Sequence, residues 1–100
     1  MIEQIQRVDQ FAQGIQKEKV LVEFFATWCK YCKAEMPVVE QYAQANPDVL
    51  VMQVDVDKFP ALVEKYHVEL WPNFFAFSNG KIVDHKPGSQ PIEALEAMVR

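Results

Sequence analysis

Histidine, cysteine and glycine are scarce in this sequence of 100 residues, with two, two and three copies. A structural zinc site takes four ligands. His67 and His85 lie far apart and are not spaced to complete such a site with one cysteine pair, so no metal is expected. No basic cluster exceeds two residues, and the net charge is −4 with a pI near 5.1. Binding to nucleic acid or to an anionic membrane is therefore not expected. No apolar run approaches the ~20 residues of a bilayer span. Met1-Ile2-Glu3-Gln4 carries neither the basic segment nor the apolar core of a signal peptide. The cytoplasm is the expected location, although a secreted form with its leader removed would read the same. Internal repeats, low-complexity tracts and linkers are all missing. Half the residues are apolar and 24% charged, an ordinary globular balance, so one domain over residues 1–100 is expected.

What the chain does have is concentrated in Val20–Lys33, VLVEFFATWCKYCK. The apolar run Val20–Phe25 is too short for a helix, is rich in β-branched and aromatic residues, and is apolar on both faces. It reads as a central strand covered on both sides. Thr27 can cap the following helix or sit in a turn, which brings Cys29 to a helix N-terminus and Cys32 one turn further in. Unsatisfied backbone N–H groups and the helix dipole favour thiolate there, and Lys30 and Lys33 add positive charge. An exposed Cys29 thiolate backed by a deeper Cys32 thiol can attack a disulfide, form a mixed disulfide and be released. Two buried, inert cysteines are the alternative. The lysines and the turn position of Cys29 argue against burial of both.

Taken in order, Ile2 and Ile5 suggest a short edge strand or a loose entry segment, and Asp9 can cap a short helix carrying Phe11, Ala12 and Ile15. After the central strand comes a helix over Cys29–Ala45 with Pro37 inside it. Val38, Val39, Tyr42 and Ala43 form its core face, while Glu35, Glu40, Gln41 and Gln44 face water. A second buried strand spans Val49–Val56 with Asp55 and Asp57 at its end, and a helix starts at Pro60. Asn73–Ser78 and Lys81–His85 make a hairpin around Asn79-Gly80. A last helix follows Pro91 with Ile92, Leu95, Met98 and Val99 on its apolar stripe. The fold class is α/β, a mixed sheet with helices on both faces.

FFATWCKYCKAEMP resembles the active-site segment of the thioredoxin family, with W-C-x-x-C-K and a proline five residues past the second cysteine. VMQVDVD resembles that family's next buried strand, LWPNFFAFSNGK its cis-proline loop and hairpin, and HKPGS its glycine-bearing turn before the last helix. The similarity runs from about Val20 to Arg100. It implies the thioredoxin fold and a thiol–disulfide oxidoreductase without a cofactor, with Cys29 as nucleophile and Cys32 as resolving thiol. It implies protein disulfides as substrates and electrons from a reductase of the thioredoxin-reductase type or a membrane partner. A monomer is expected. The rivals are an oxidant or isomerase outside the cytoplasm, and a binding module of the same fold whose cysteines are only structural.

Glu23 is a charge inside an apolar strand, so it must be neutral, paired or reached by water. Burial should raise its pKa into the range useful for acid–base work. Thioredoxins carry a buried aspartate at the matching position that exchanges a proton with the second cysteine, which implies that role for Glu23. The family's lysine partner is replaced by Gln53, and the longer side chain could instead reach solvent or a lysine. The resemblance also implies a substrate groove lined by Trp28, Lys30, Tyr31, Trp71, Pro72 and Gly88, with a cis bond before Pro72 exposing the backbone of Trp71 to an extended segment. Lys30-Tyr31 replaces the family's usual Gly-Pro. A tyrosine before the second cysteine resembles glutaredoxins, but no glutathione-site signature follows. Trp71 is larger than the aliphatic residue usual before the proline.

Overall fold

A computed structural model describes residues 2–99. Among them, β1 (Ile2–Gln4), α1 (Val8–Gly14), β2 (Val20–Phe25), α2 (Lys30–Ala45), β3 (Leu50–Asp55), α3 (Pro60–Lys65), β4 (Asn73–Ser78), β5 (Lys81–Pro87) and α4 (Ile92–Met98) follow in that order. The sheet order is β1-β3-β2-β4-β5. β2 lies at its centre, parallel to β3 and antiparallel to β4. This is the mixed sheet expected from the chain, and Ile2–Gln4 is indeed an edge strand.

Side chains alternate along β2 between two cores. Val20, Val22 and Phe24 pack with Phe11, Ile15, Leu62 and Phe77 under α1 and α3. Leu21 packs with Val39, Tyr42, Leu95 and Met98 under α2 and α4. Glu23 shares Leu21's parity, so the strand period alone sends its carboxyl toward α2, the helix that carries Cys32. At the hairpin, Asn79 and Gly80 have φ of +52° and +86°. Positive φ at both central residues is what a tight turn matching the strand twist requires. At Gly14 a Cβ would meet the Met52 thioether, so a larger residue there requires the Met52 side chain to move.

Several local expectations are corrected. Asp9 does not cap α1. The N-cap is Arg7, and Asp9 sits in the first turn, paired with the Arg7 guanidinium. Thr27 takes the turn position, one of the two expected for it, and the cap of α2 is Cys29. Glu35 does not face water: it is buried, because α2 turns that flank toward the segment preceding α4. Strand β5 runs two residues past His85, to Pro87.

Candidate active site

The carboxyl end of β2 delivers the chain through Ala26–Trp28 into α2, and Cys29 closes the helix start. Its Sγ accepts the Cys32 backbone N–H at 3.2 Å, which satisfies one of the free donors of the first turn. The same thiol donates to the Trp71 carbonyl at 3.6 Å. The Cys29 thiol is thus drawn toward the backbone of the Trp71-Pro72 loop, whose peptide bond is cis.

The two cysteines were expected to differ in exposure, and they do not. Both are free thiols, 6% exposed. Cys29 is covered because its thiol turns inward to Trp71 while the bulky groups around it stay out. Trp28 is 62% and Tyr31 63% exposed. Trp28 and the half-buried Trp71 meet edge to face at 6.1 Å, a favoured aromatic geometry. What separates the thiols is their surroundings. Cys29 borders the Trp71 backbone, whereas Cys32 lines a cavity of about 240 Å³ together with Glu23, Met36, Lys33 and Gln53. Burial first, and then the hydrogen bond with Cys29, push the Cys32 thiol well above its usual range.

Glu23 lies beneath this cavity, buried on β2. Burial raises its carboxyl to about 7, opposed by a hydrogen bond from Gln53 and assisted by the charge of Glu35. Gln53 Nε2 donates to Glu23 Oε1 at 2.9 Å, and Gln4 Nε2 donates to Gln53 Oε1 at 3.3 Å. Gln4, Gln53 and Glu23 stand opposite one another across β1, β3 and β2. The longer side chain of Glu23 is not used to reach a lysine. An amide neighbour leaves burial unopposed by any cation, which is why the carboxyl titrates near neutrality.

Of the other residues implied for the groove, Pro72 is buried, and Gly88 N–H donates to its carbonyl at 2.8 Å. Gly88 has φ of +86° and open space where a Cβ would stand. Lys30 Nζ sits over the Tyr31 ring, 5.8 Å from its centre, and both side chains are exposed. Among the described residues no group of three or more His, Cys, Asp or Glu side chains is placed to hold a metal ion. His85 stacks on Phe75 at 4.1 Å and donates from Nε2 to Asn73 Oδ1 at 2.7 Å.

Sequence reasoning missed Asp57 and Glu35. Asp57 Oδ2 accepts the Trp28 indole N–H at 2.8 Å, pinning the tryptophan that walls the cysteine pair. The available signal was a carboxylate at the carboxyl end of a strand beside the centre of the sheet, where sites of open α/β sheets gather. Asp57→Ala should free the indole and slow reduction of a protein disulfide by roughly two- to fivefold, the worth of one exposed hydrogen bond. The melting temperature should stay within about 4 °C. Steady-state assays and a thermal melt on the same variant check this, and an unchanged rate would remove Asp57 from the site.

A thiol that caps a helix and a second thiol one turn further in can exchange a dithiol for a disulfide. The class that this fold and site define is the thiol–disulfide oxidoreductases of thioredoxin fold. The chain belongs to the thioredoxin family, whose profile matches residues 3–100. It is 34% identical over 101 residues to Thioredoxin-1 of Schizosaccharomyces pombe, covering 100% of this chain and 97% of that protein. It is 37% identical over 90 residues to Thioredoxin-2 of Pyricularia oryzae, covering 89% of this chain. There it spans about half the relative's length, 52%. Among solved structures, a mutant thioredoxin from Halobacterium salinarum superposes with a TM-score of 0.90 at 30% identity, covering 98% of this chain and 87% of that one. No helix of the described residues is long and apolar enough to cross a membrane.

Proposed function

We propose that this chain, acting as one monomeric domain in the cytoplasm, reduces disulfides of protein substrates. The supporting observation is the placement of the two sulfurs: Cys29 against the Trp71 carbonyl, and Cys32 over Glu23. Cys29 thiolate attacks one substrate sulfur, the substrate S–S bond breaks, and the leaving thiolate takes up a proton. Cys32 then gives its proton to Glu23 and attacks the Cys29 sulfur. The Cys29–substrate bond breaks as the Cys29–Cys32 disulfide forms, and two electrons have passed to the substrate. A carboxyl titrating near 7 can accept that proton and return it. An extended substrate segment lies along Trp71-Pro72, bordered by Trp28, Lys30, Tyr31 and Gly88. No cofactor takes part in the exchange, and a reductase of the thioredoxin-reductase type restores the dithiol.

Insulin reduction coupled to such a reductase, with thiol titration before and after, tests this reading. Two titratable thiols with no turnover of insulin would leave a binding module instead.

Lys30 sets the direction of a smaller effect. A cation beside the pair favours the dithiol over the uncharged disulfide, which makes the couple more oxidising than the roughly −270 mV typical of thioredoxin. Screening at an exposed site limits the effect to a fraction of about 30 mV, the equivalent of one pKa unit. Lys30→Gly is therefore expected to move the potential toward the reducing side by less than about 30 mV in a glutathione redox titration. An unchanged potential would show that this lysine does not tune the pair.

A further inference from the structure

Glu35 is a buried carboxylate that the exchange chemistry does not use. It follows Cys32 by three residues on α2, which places the two side chains on neighbouring parts of one helix face. It is 5% exposed, and burial raises its carboxyl. A leucine or methionine would fill such a position at lower cost than a carboxylate. What the carboxylate adds is an acceptor. Glu35 Oε2 takes the backbone N–H of Gln90 at 3.2 Å.

Gln90 belongs to the turn that borders the groove. Its side-chain amide donates to the carbonyls of Pro87 at 3.0 Å and Gly88 at 3.3 Å. Gly88 N–H in turn donates to the Pro72 carbonyl at 2.8 Å. The turn at residues 88–90 is therefore tied on one side to Pro72 and on the other, through Glu35, to the helix that carries both sulfurs at its start. Loss of the Glu35 contact removes the hydrogen bond that ties the turn directly to α2.

We propose that Glu35 is a positioning residue for protein substrates: through the Gln90 N–H it holds the turn at residues 88–90 against α2, setting the width of the groove beside Pro72. This rests on the reading of the chain as a reductase of protein disulfides. A small disulfide needs access to Cys29 but spans no groove, so the two kinds of substrate separate the role from a general loss of structure.

The test compares Glu35→Gln with Glu35→Leu. Both remove the charge and with it the influence on Glu23, but only the glutamine keeps an oxygen for Gln90. Insulin and the small aromatic disulfide dithiobis(nitrobenzoate) serve as substrates. Glu35→Leu is expected to raise the KM for insulin roughly three- to tenfold, the worth of one buried hydrogen bond. Its kcat and its rate with the small disulfide should change less than about twofold. Glu35→Gln should restore the insulin KM to within about twofold of the parent value. Amide hydrogen exchange gives a second readout, with the Gln90 N–H protected in the parent protein and in Glu35→Gln. If Glu35→Leu does not fold, that protection decides the matter, and a rapidly exchanging Gln90 N–H in the parent overturns the proposal. Equal insulin KM values for the two variants, or a parallel loss with both substrates, overturn it as well. Failure of the parent protein to reduce either disulfide would sink both readings, whereas loss of the difference between the variants removes this one alone.

Discussion

Cys29→Ser abolishes disulfide reduction, an expected loss of at least about 10³-fold, because the serine hydroxyl is a far weaker nucleophile at neutral pH. Cys32→Ser is expected to do something different. The remaining Cys29 can still attack, but nothing releases the product, so mixed disulfides with substrate accumulate. The asymmetry does not come from exposure, since both thiols are equally buried. It comes from environment: Cys29 lies against the backbone where a substrate strand would pair, while Cys32 faces the cavity above Glu23 and burial holds its proton on. Non-reducing gels and mass spectrometry of each variant incubated with a disulfide substrate check this. Trapping by the Cys29 variant would reverse the assigned roles.

Glu23→Gln is expected to stabilise the fold and impair the enzyme together. The folded carboxyl titrates at about 7, against an ordinary value of 4.5. Below the lower value both folded and unfolded chains hold the proton, and stability is at its full level. Between the two values the unfolded chain releases its proton first, so stability falls as pH rises. Above about 7 it stays low, by roughly 3 kcal/mol for a shift of this size. Glutamine carries no charge to bury and still offers an oxygen to Gln53. At pH 8 the variant should melt roughly 10 °C or more above the parent, and the difference should shrink toward pH 4. Thermal melts across that range decide the point, and a constant difference would mean that Glu23 is not the titrating group.

The same substitution removes the proton acceptor beside Cys32. Attack of Cys32 on the mixed disulfide should slow by about 10²-fold, the low end of what a positioned general base contributes. The first attack by Cys29 should be nearly unchanged, since Glu23 lies on the Cys32 side of the pair. Stopped-flow kinetics resolve the two steps. Equal slowing of both would assign Glu23 to structure.

Two kinds of information met in this chain. The strand at Val20–Phe25, the helix after it and the hairpin at Asn79-Gly80 were legible from local pattern. Apolar runs, a proline at a helix start and residues tolerant of positive φ act within a few residues of themselves. The paired thiols were legible for the same reason, since three residues of spacing suffice to put both on the first turn of a helix. Even the burial of Glu23 followed from its apolar neighbours.

Depth and partnership were not legible, because they depend on segments far apart in the chain. Cys29 was expected to be exposed and is buried, since a loop 42 residues away supplies the Trp71 carbonyl that its thiol meets. Trp28 is pinned by Asp57 and Glu35 is tied to Gln90, across separations of 29 and 55 residues. Glu35 illustrates the reason most directly. Helical periodicity ranks side chains by polarity and sends a carboxylate toward water, but burial is decided by what packs over the helix. Here a backbone N–H from the turn before α4 arrives over that flank, and an unmet buried donor costs more than a carboxylate that accepts it. The sequence by itself determined the elements and the chemistry of the cysteine pair; only the tertiary structure decided how deep each thiol lies, what pins Trp28 and what Glu35 meets, because those contacts join segments far apart in the chain.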